Sequence, residues 1–246
     1  MKNKLNRILL IPLVFAMGKS IFAEAKPLPD FNEGAMNWGT QRYKFTLINK
    51  EEKTELGSVT LRNKLSGDQV ILTDEYLLSI EGKPMSLNMT QVCRKDQYLS
   101  PVKIECKGKG SDEMPTFKAT IQDGEAKIER KLPFKISNSK QIPEGTVSSA
   151  AFMRIVTQLP RVDGATYRYA FALEASEMNL KKDYIAKVIG KETIFCDGEP
   201  VKCWKISQNG GGIRKQFFWV TEDGILQRVL QDGRKQIDLQ TGEPGD

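Results

Sequence analysis

The stretch 167–174, Tyr-Arg-Tyr-Ala-Phe-Ala-Leu-Glu, decides the fold class of this chain. Large apolar residues occupy its first, third, fifth and seventh positions, and these positions share one face of an extended strand. The stretches 43–47 and 117–121 repeat this alternation of apolar and polar residues. A period of two residues is typical of antiparallel strands that have one buried face and one solvated face.

Pairs that favour tight turns separate the alternating stretches along the chain. They include Asp123-Gly124, Asp163-Gly164, Asp197-Gly198, Asp223-Gly224 and Asp232-Gly233. Asp-Gly between alternating runs is a strong hairpin signal, because glycine readily adopts the left-handed backbone of a two-residue loop. The sequence therefore predicts roughly twelve strands between Arg42 and Leu239, joined mostly as an antiparallel meander.

One amphipathic helix interrupts this pattern near 147–158. Thr146 is a suitable N-cap, and Pro160 ends the segment. The apolar stripe of the helix consists of Ala151, Phe152, Ile155, Val156 and Leu159. A single helix within a long meander is suited to cover the concave face, or to close the open end, of a curved sheet. We therefore predict a mainly β fold: a strongly curved antiparallel sheet, an open or half barrel, with one covering helix.

Residues 1–25 have the three parts of a cleavable signal peptide: a basic start, an apolar run and an Ala-Glu-Ala cleavage pattern. The apolar run covers only 8–18, whereas crossing a bilayer takes roughly 20 residues. We expect export to the periplasm or secretion, with no transmembrane segment after cleavage. An extended lead-in over 26–40 and a single β domain over 41–240 would follow.

The charge of the chain argues against nucleic acid as a partner. Residues 1–25 carry four basic residues and one acidic residue, so the net charge falls from +6 to +3 without them. Nucleic-acid-binding proteins show a strong and clustered basic excess. The basic residues of 103–140 are instead interspersed with acidic ones, which is typical of a solvated face.

The four cysteines predict two disulfides in an exported chain, with three connectivities to choose from. Cys93 and Cys106 flank one turn-like segment, and Cys196 and Cys203 flank another. This spacing favours two local bridges across hairpins, Cys93–Cys106 and Cys196–Cys203. Four free, buried thiols are the alternative. Neither pair has zinc-ligand spacing, so we expect no metal.

The absence of histidine limits the available chemistry most. It removes nucleophiles activated by histidine and all metal sites with histidine ligands. Two Ser-x-x-Lys matches, Ser100–Lys103 and Ser137–Lys140, are expected by chance, and the paired acids lie beside turns. We therefore predict a protein with no catalytic residues and no cofactor.

Five aromatic residues have two interpretations. They are Phe152 on the helix, with Trp204, Phe217, Phe218 and Trp219 on two neighbouring predicted strands. A cross-strand aromatic cluster that packs the core is the first interpretation. The second is that these side chains line a cavity for an acyl chain, since curved β structures often hold ligands.

The order of these elements resembles a family of exported bacterial β proteins known only as a domain of unknown function. The stretches that carry the resemblance are Trp38, 42–46, 98–101, 159–160, 188–192, 218–220 and 223–228. Such proteins look like the half-barrel carriers that localise lipoproteins and like periplasmic sigma-regulator domains. The resemblance implies a half-barrel fold that could hold a ligand cavity, and it supplies no catalytic residues.

Three functions are compatible with these sequence features. The first is a non-catalytic protein that binds a hydrophobic ligand, a lipid or a lipidated partner in a half-barrel. The second is an envelope interaction or structural protein that has no small-molecule ligand. The third, which the sequence favours least, is a hydrolase that uses a Ser-Lys pair or carboxylates.

Overall fold

The computed structural model describes residues 25–49, 52–111, 114–132, 135–174, 178–210 and 213–240. The predicted signal peptide lies outside these ranges, apart from its last residue, Ala25. Within them the chain forms sixteen strands of one sheet and one α-helix. The strands are β1 (Lys26–Pro27), β2 (Thr40–Asn49), β3 (Glu52–Ser66), β4 (Gln69–Ile80), β5 (Lys83–Arg94), β6 (Pro101–Lys109), β7 (Thr116–Gln122), β8 (Glu125–Leu132), β9 (Ile136–Gln141), β10 (Thr146–Ser148), β11 (Thr166–Glu174), β12 (Asn179–Cys196), β13 (Glu199–Gly210), β14 (Ile213–Val220), β15 (Leu226–Gln231) and β16 (Lys235–Leu239).

The sheet consists of two antiparallel meanders. The first meander runs from β2 to β9 and the second from β11 to β16. They join where β16 pairs antiparallel with β2, in a register that places Asp238 opposite Lys44. The first meander ends at the edge strand β9, while β1 and β10 both run parallel to β11 at the other edge. The sheet is open and curved, which confirms the predicted fold class, although it has more strands than predicted.

The helix α1 (Ser149–Ile155) lies between the two meanders and continues into a 3-10 turn, Val156–Gln158. Its N-cap is Ser148, whose Oγ accepts a hydrogen bond from the Ala151 amide at 3.0 Å. The predicted N-cap, Thr146, lies in β10 instead, and its hydroxyl donates to the Pro143 carbonyl at 2.6 Å. The prediction of Thr146 was wrong because β10 continues past that residue before the helix begins.

The face of the sheet on which α1 packs, here called the inner face, is filled by side chains. Phe152, Ile155 and Leu159 are buried there against residues of both meanders, such as Val59 and Ile206. A second buried cluster lies under β5–β8 and includes Ile104, Phe117, Ile128, Leu173 and Met178. The helix therefore occupies the space that an interior ligand would need.

The lead-in is part of the domain. Leu28 and Met36 are buried in the main core, and the Asn32 amide donates to Gln158 Oε1 at 2.9 Å. A short 3-10 helix, Glu33–Ala35, places the Glu33 carboxylate 2.8 Å from Lys95 Nζ. No helix in the described ranges is long and apolar enough to cross a membrane.

Candidate functional site

The first meander holds α1 through buried polar groups. Arg154 Nη1 lies 2.7 Å from the Asp74 carboxylate, and these side chains are only 3% and 1% exposed. Arg154 Nε donates to Asn63 Oδ1 at 2.8 Å, and Nη1 also donates to the Ala150 carbonyl. The guanidinium therefore joins the helix to β3 and β4 at one point.

The electrostatics of this pair follow from its burial. Burial raises the pKa of Asp74, while the adjacent Arg154 opposes the shift. The same burial raises the pKa of the Tyr43 and Tyr76 phenols and of the Cys93 thiol. Asp74 therefore faces its counter-charge inside the protein, where both side chains are almost fully buried. Its arrangement suits holding the helix in place.

A second buried polar contact lies near the start of α1. Ser148 Oγ donates to Gln91 Oε1 at 2.6 Å, and neither residue is exposed. The same oxygen accepts from the Ala151 amide at the first turn of the helix. Ser148 therefore caps α1 and ties it to β5 with a single hydroxyl.

The second meander contacts α1 through aromatic rings. Phe152 stacks on Tyr169 with ring centroids 5.3 Å apart, and it meets the edge of Phe218 at 5.4 Å. Tyr169 in turn stacks on Tyr184 at 5.2 Å. The Gln208 side-chain amide donates to the Tyr169 hydroxyl, which supplies this buried phenol with a partner.

The five aromatic residues singled out in the sequence do not form one cluster. Phe152 and Phe218 are buried on the inner face, and Trp204 is half-buried there. Phe217 and Trp219 lie on the outer face, because neighbours along a strand point to opposite sides. These aromatic residues pack the protein on both faces and do not line a common cavity.

Trp219 belongs to an outer cluster that the β12–β13 hairpin covers. Its buried members are Ile194, Cys196, Cys203 and Trp219. Arg228 Nη2 donates to the Phe195 carbonyl at 2.8 Å, so this hairpin contacts β15. The Trp219 indole donates to Glu192, and Arg228 pairs with Asp238 nearby.

The prediction of two hairpin disulfides is not supported, since all four cysteines are free thiols. Cys106 lies opposite Met89, which is four residues from Cys93; Cys203 lies opposite Glu192, which is four residues from Cys196. Four residues span about 13 Å of strand, whereas bridged Cα atoms lie within about 7 Å. Burial raises the pKa of Cys106 to about 11 and that of Cys203 to about 12. These thiols are therefore protonated at neutral pH.

A surface depression at the end of β3–β6 is the best candidate for a binding site. It has a volume of about 360 Å³. We call it the lip trough, because residues from both faces of the sheet line it where the strands end. Leucine, methionine, proline and glycine dominate the lining, and Lys109 is its one charged residue. The lining residues are Leu56, Gly57, Leu77, Leu78, Ser79, Pro84, Met85, Ser86, Lys109 and Gly110.

Two glycines shape the lip trough. At Gly57 φ is +142°, and an added Cβ would fall 2.0 Å from the Leu77 carbonyl oxygen. At Gly110 φ is +98°, and an added Cβ would fall 2.3 Å from the Pro84 oxygen. Neither position has room for a side chain, because the backbone of a neighbouring strand approaches closely at both glycines. Leu77 remains 49% exposed beside it.

Sequence reasoning missed the lip trough. One signal for it was present, because a glycine inside a strand pattern often marks a bulge or a close approach of backbones. Gly57 lies within β3 next to a register shift in its pairing with β2. The aromatic residues give a stronger apolar signal in the sequence than this glycine does.

Comparisons with known proteins support the fold alone. No protein-family model and no curated protein matches the chain. A solved structure described as a beta-barrel-like protein of domain of unknown function DUF1849, from Brucella abortus, is similar to it with a TM-score of 0.51. The two chains share 14% sequence identity over 84% of this chain and 97% of the other. The chain is thus similar in fold to a barrel-like protein of unknown function.

Proposed function

We propose that this chain is an exported, non-catalytic protein that binds a hydrophobic ligand in the lip trough. The ligand is a lipid acyl chain or the acyl group of a lipidated partner. The observation that carries the proposal is the trough itself, which is largely apolar and about 360 Å³ in volume. Ligand sites are typically mostly apolar concavities of roughly 300–1,000 Å³.

Because side chains pack the inner face, the proposed binding site lies outside the interior of the half-barrel. Phe152 and its aromatic neighbours fill the space under α1. A ligand that entered there would have to displace the helix, together with the buried contact between Arg154 and Asp74. The trough needs no such rearrangement, because it is open to solvent along the strand ends.

Ligand binding can be tested by displacement of a fluorescent fatty acid from the purified protein. Ser79 is exposed and lines the trough, so Ser79→Trp places an indole in the site with little effect on the fold. We expect saturable binding to the wild type and binding weaker by about tenfold or more in this variant, which is a loss of ~1.4 kcal/mol.

Ser139→Trp is the matched control, because Ser139 is an exposed serine on β9 that does not line the trough. It should bind the fatty acid as the wild type does. The proposal fails if the wild type shows no saturable binding. It also fails if Ser79→Trp and Ser139→Trp bind equally well.

Several features support the absence of catalysis in this proposal. The chain contains no histidine. Asp74 and Arg154 neutralise each other inside the core. Lys140, from one of the Ser-x-x-Lys matches, donates to the Met178 carbonyl at 2.7 Å.

The signal-peptide pattern of residues 1–25 supports export, and cleavage after Ala25 would leave β1 as the start of the exported chain.

An envelope interaction protein without a small-molecule ligand is the second candidate. The filled inner face favours it, because buried side chains such as Phe152 and Leu173 occupy that face. Phe195 and Val162 are 66% and 62% exposed and offer apolar contacts on the surface. A reproducible envelope partner in pull-downs, together with no fatty-acid binding, would favour this candidate over the first.

A further inference from the structure

The lining of the lip trough changes from aliphatic to cationic across three strands. Lys109 on β6 lies opposite Ser86 on β5, and Ser86 lies opposite Leu77 on β4. Residues opposite each other on antiparallel strands project from the same face, with Cβ atoms about 4.5–5.5 Å apart. These three side chains, all of which line the trough, therefore form one row from an aliphatic end at Leu77 to a cationic end at Lys109.

The ammonium group of Lys109 is available to an anion. Lys109 is exposed, and it forms no ion pair with any residue in the described part of the chain. Lys107, two residues earlier on the same face of β6, lies 3.2 Å from Glu105, and Lys118 on β7 lies 3.7 Å from the same carboxylate. Glu105 therefore has two lysine partners, whereas the charge of Lys109 faces solvent at the edge of the trough.

We infer that the lip trough selects free fatty acids in their ionised form, and that Lys109 is the residue that recognises the carboxylate. The inference rests on the proposed function and narrows its ligand from any acyl chain to one that ends in an anion. The acyl chain lies in the aliphatic part of the trough beside Leu77. The carboxylate accepts hydrogen bonds from the Lys109 ammonium group and the neighbouring Ser86 hydroxyl, and such charge-assisted bonds are roughly twice as strong as neutral ones.

The charge of the lining distinguishes a free fatty acid from an esterified acyl group. An ester or amide carbonyl is neutral and gains little from an ammonium group, while a cationic head group is repelled by it. The hydroxyls of Ser79 and Ser86 can bond an acid or an ester alike. Lys109 therefore sets the preference, because every other residue of the lining is neutral.

Three ligands that share one alkyl chain test the inference: dodecanoate, dodecanol and dodecylammonium. Their affinities are measured by displacement of the fluorescent fatty acid at mildly alkaline pH, where the carboxylate and the lysine side chain are both ionised. We expect the wild type to bind dodecanoate about five- to tenfold more tightly than dodecanol. Dodecylammonium should bind most weakly.

Two substitutions of Lys109 separate its charge from its stem. Lys109→Met removes the charge and keeps an unbranched side chain, so dodecanoate and dodecanol should then bind within about twofold of each other. Lys109→Glu should reverse the order, with dodecylammonium bound more tightly than dodecanoate.

Lys107→Met is the matched control. It removes an equal charge from the same face of β6, at an exposed position that does not line the trough. This variant should keep the preference of the wild type for dodecanoate. A loss of preference as large as that of Lys109→Met would overturn the inference, because the preference would then come from the general positive charge of β6.

The inference and the proposed function fail in different ways. Equal affinities of the wild type for dodecanoate and dodecanol would overturn the inference and leave the proposed function standing, since the trough would still hold an alkyl chain. Displacement by none of the three ligands would refute both. Ser79→Trp keeps the two apart, because it blocks the trough and should weaken dodecanoate and dodecanol by the same factor.

Discussion

The helix α1 has two different neighbours, and each holds it by different physics. Towards the first meander, Arg154 pairs with Asp74 and Ser148 bonds Gln91, all buried. Towards the second meander, Phe152 packs on Tyr169 and Phe218. Apolar packing therefore holds the helix on both sides, and the first meander adds a few polar contacts with strict geometry.

The two kinds of contact make different contributions: one sets the orientation of α1, and the other stabilises the folded protein. Burying two charges costs desolvation that their attraction offsets only in good geometry, so a buried ion pair is weak evidence of net stabilisation. Stacked aromatic rings tolerate small shifts and gain from every square ångström removed from water. We infer that the polar contacts fix the position and rotation of α1, while the apolar and aromatic contacts supply most of the stabilising energy.

Removal of one charge should have the largest effect. Asp74→Ala leaves the Arg154 guanidinium buried without a counter-charge, and we expect the free energy of unfolding to fall by about 3–5 kcal/mol. Urea unfolding followed by circular dichroism measures it. Glu75→Gln is the matched control on the same strand, because its pair with Arg62 is 3.6 Å long and partly exposed. It should cost less than about 1 kcal/mol.

Replacement of both charges then separates the cost of an unpaired charge from the value of the pair. Asp74→Leu/Arg154→Met should recover most of the loss, because apolar substitutes often match or exceed a buried ion pair in stability. A double variant as unstable as Asp74→Ala would show that the pair itself stabilises the protein. In that case the division between orientation and energy would be wrong.

A substitution among the aromatic contacts should lower the free energy of unfolding by a smaller amount. Phe152→Leu keeps an apolar side chain but removes two ring contacts, each worth about 0.5–1.5 kcal/mol beyond the buried area. We expect a loss of about 1–3 kcal/mol in the same urea titration. Phe195→Leu, at an exposed ring, provides the control and should change little. Equal losses in both variants would contradict the role of the aromatic contacts.

Loss of the N-cap of α1 should lower the free energy of unfolding by a still smaller amount. Ser148→Ala removes the acceptor for the Ala151 amide and the partner of Gln91, and we expect about 0.5–2 kcal/mol. Ser148→Thr keeps the hydroxyl and should restore part of that stability. Ser149→Ala, at an exposed position of the first turn, should leave the unfolding midpoint unchanged.

The smallest effect should appear as a pH dependence. Burial raises the pKa of Asp74 in the folded protein, so the folded state holds this proton to a higher pH than the unfolded chain does. The contribution of Asp74 to stability is therefore present at low pH and declines as the pH rises through the folded-state pKa, by at most about 1.4 kcal/mol per pH unit.

A comparison of two proteins isolates this dependence. Glu105 and Glu222 have a lowered pKa and act in the opposite sense, but they are present in both the wild type and Asp74→Leu/Arg154→Met. Up to neutral pH, the difference between the two proteins in the slope of unfolding free energy against pH therefore reports Asp74, because the phenols of Tyr43 and Tyr76 and the Cys93 thiol, which the pair also affects, stay protonated there. Identical slopes from pH 4 upwards would refute the raised pKa.

Local patterns predicted the sheet and the helix because both depend on local periodicity. The alternation at 167–174 corresponds to β11, and four of the five Asp-Gly pairs lie in hairpin turns of the structure. The exception is Asp163-Gly164, which lies between the 3-10 turn after α1 and β11. The disulfide prediction failed because it assumed that the two cysteines of each pair lie opposite each other across a hairpin. The register instead places Cys106 opposite Met89. No local pattern relates Asp74 to Arg154, since only the packing of α1 on β4 brings them together.

The aromatic residues show a different kind of failure. Phe217, Phe218 and Trp219 are consecutive, and period-two geometry alone predicts that they divide between the two faces of a strand. Their treatment as one group overlooked this rule. The lip trough depends instead on how the ends of β3–β6 meet, which the sequence signals only through a glycine within a strand, Gly57.

The pairing of β16 with β2 has a consequence for the time course of folding. β2 is among the first strands to be synthesised and β16 is the last, and their register joins Asp238 to Lys44. Because the two strands lie at opposite ends of the domain sequence, β2 waits for this partner until both meanders have been synthesised or translocated. Throughout that wait one edge of the first meander is a bare template for foreign strands. Circular permutation that joins β16 directly to β2 would shorten the wait and should accelerate folding, because it lowers the contact order.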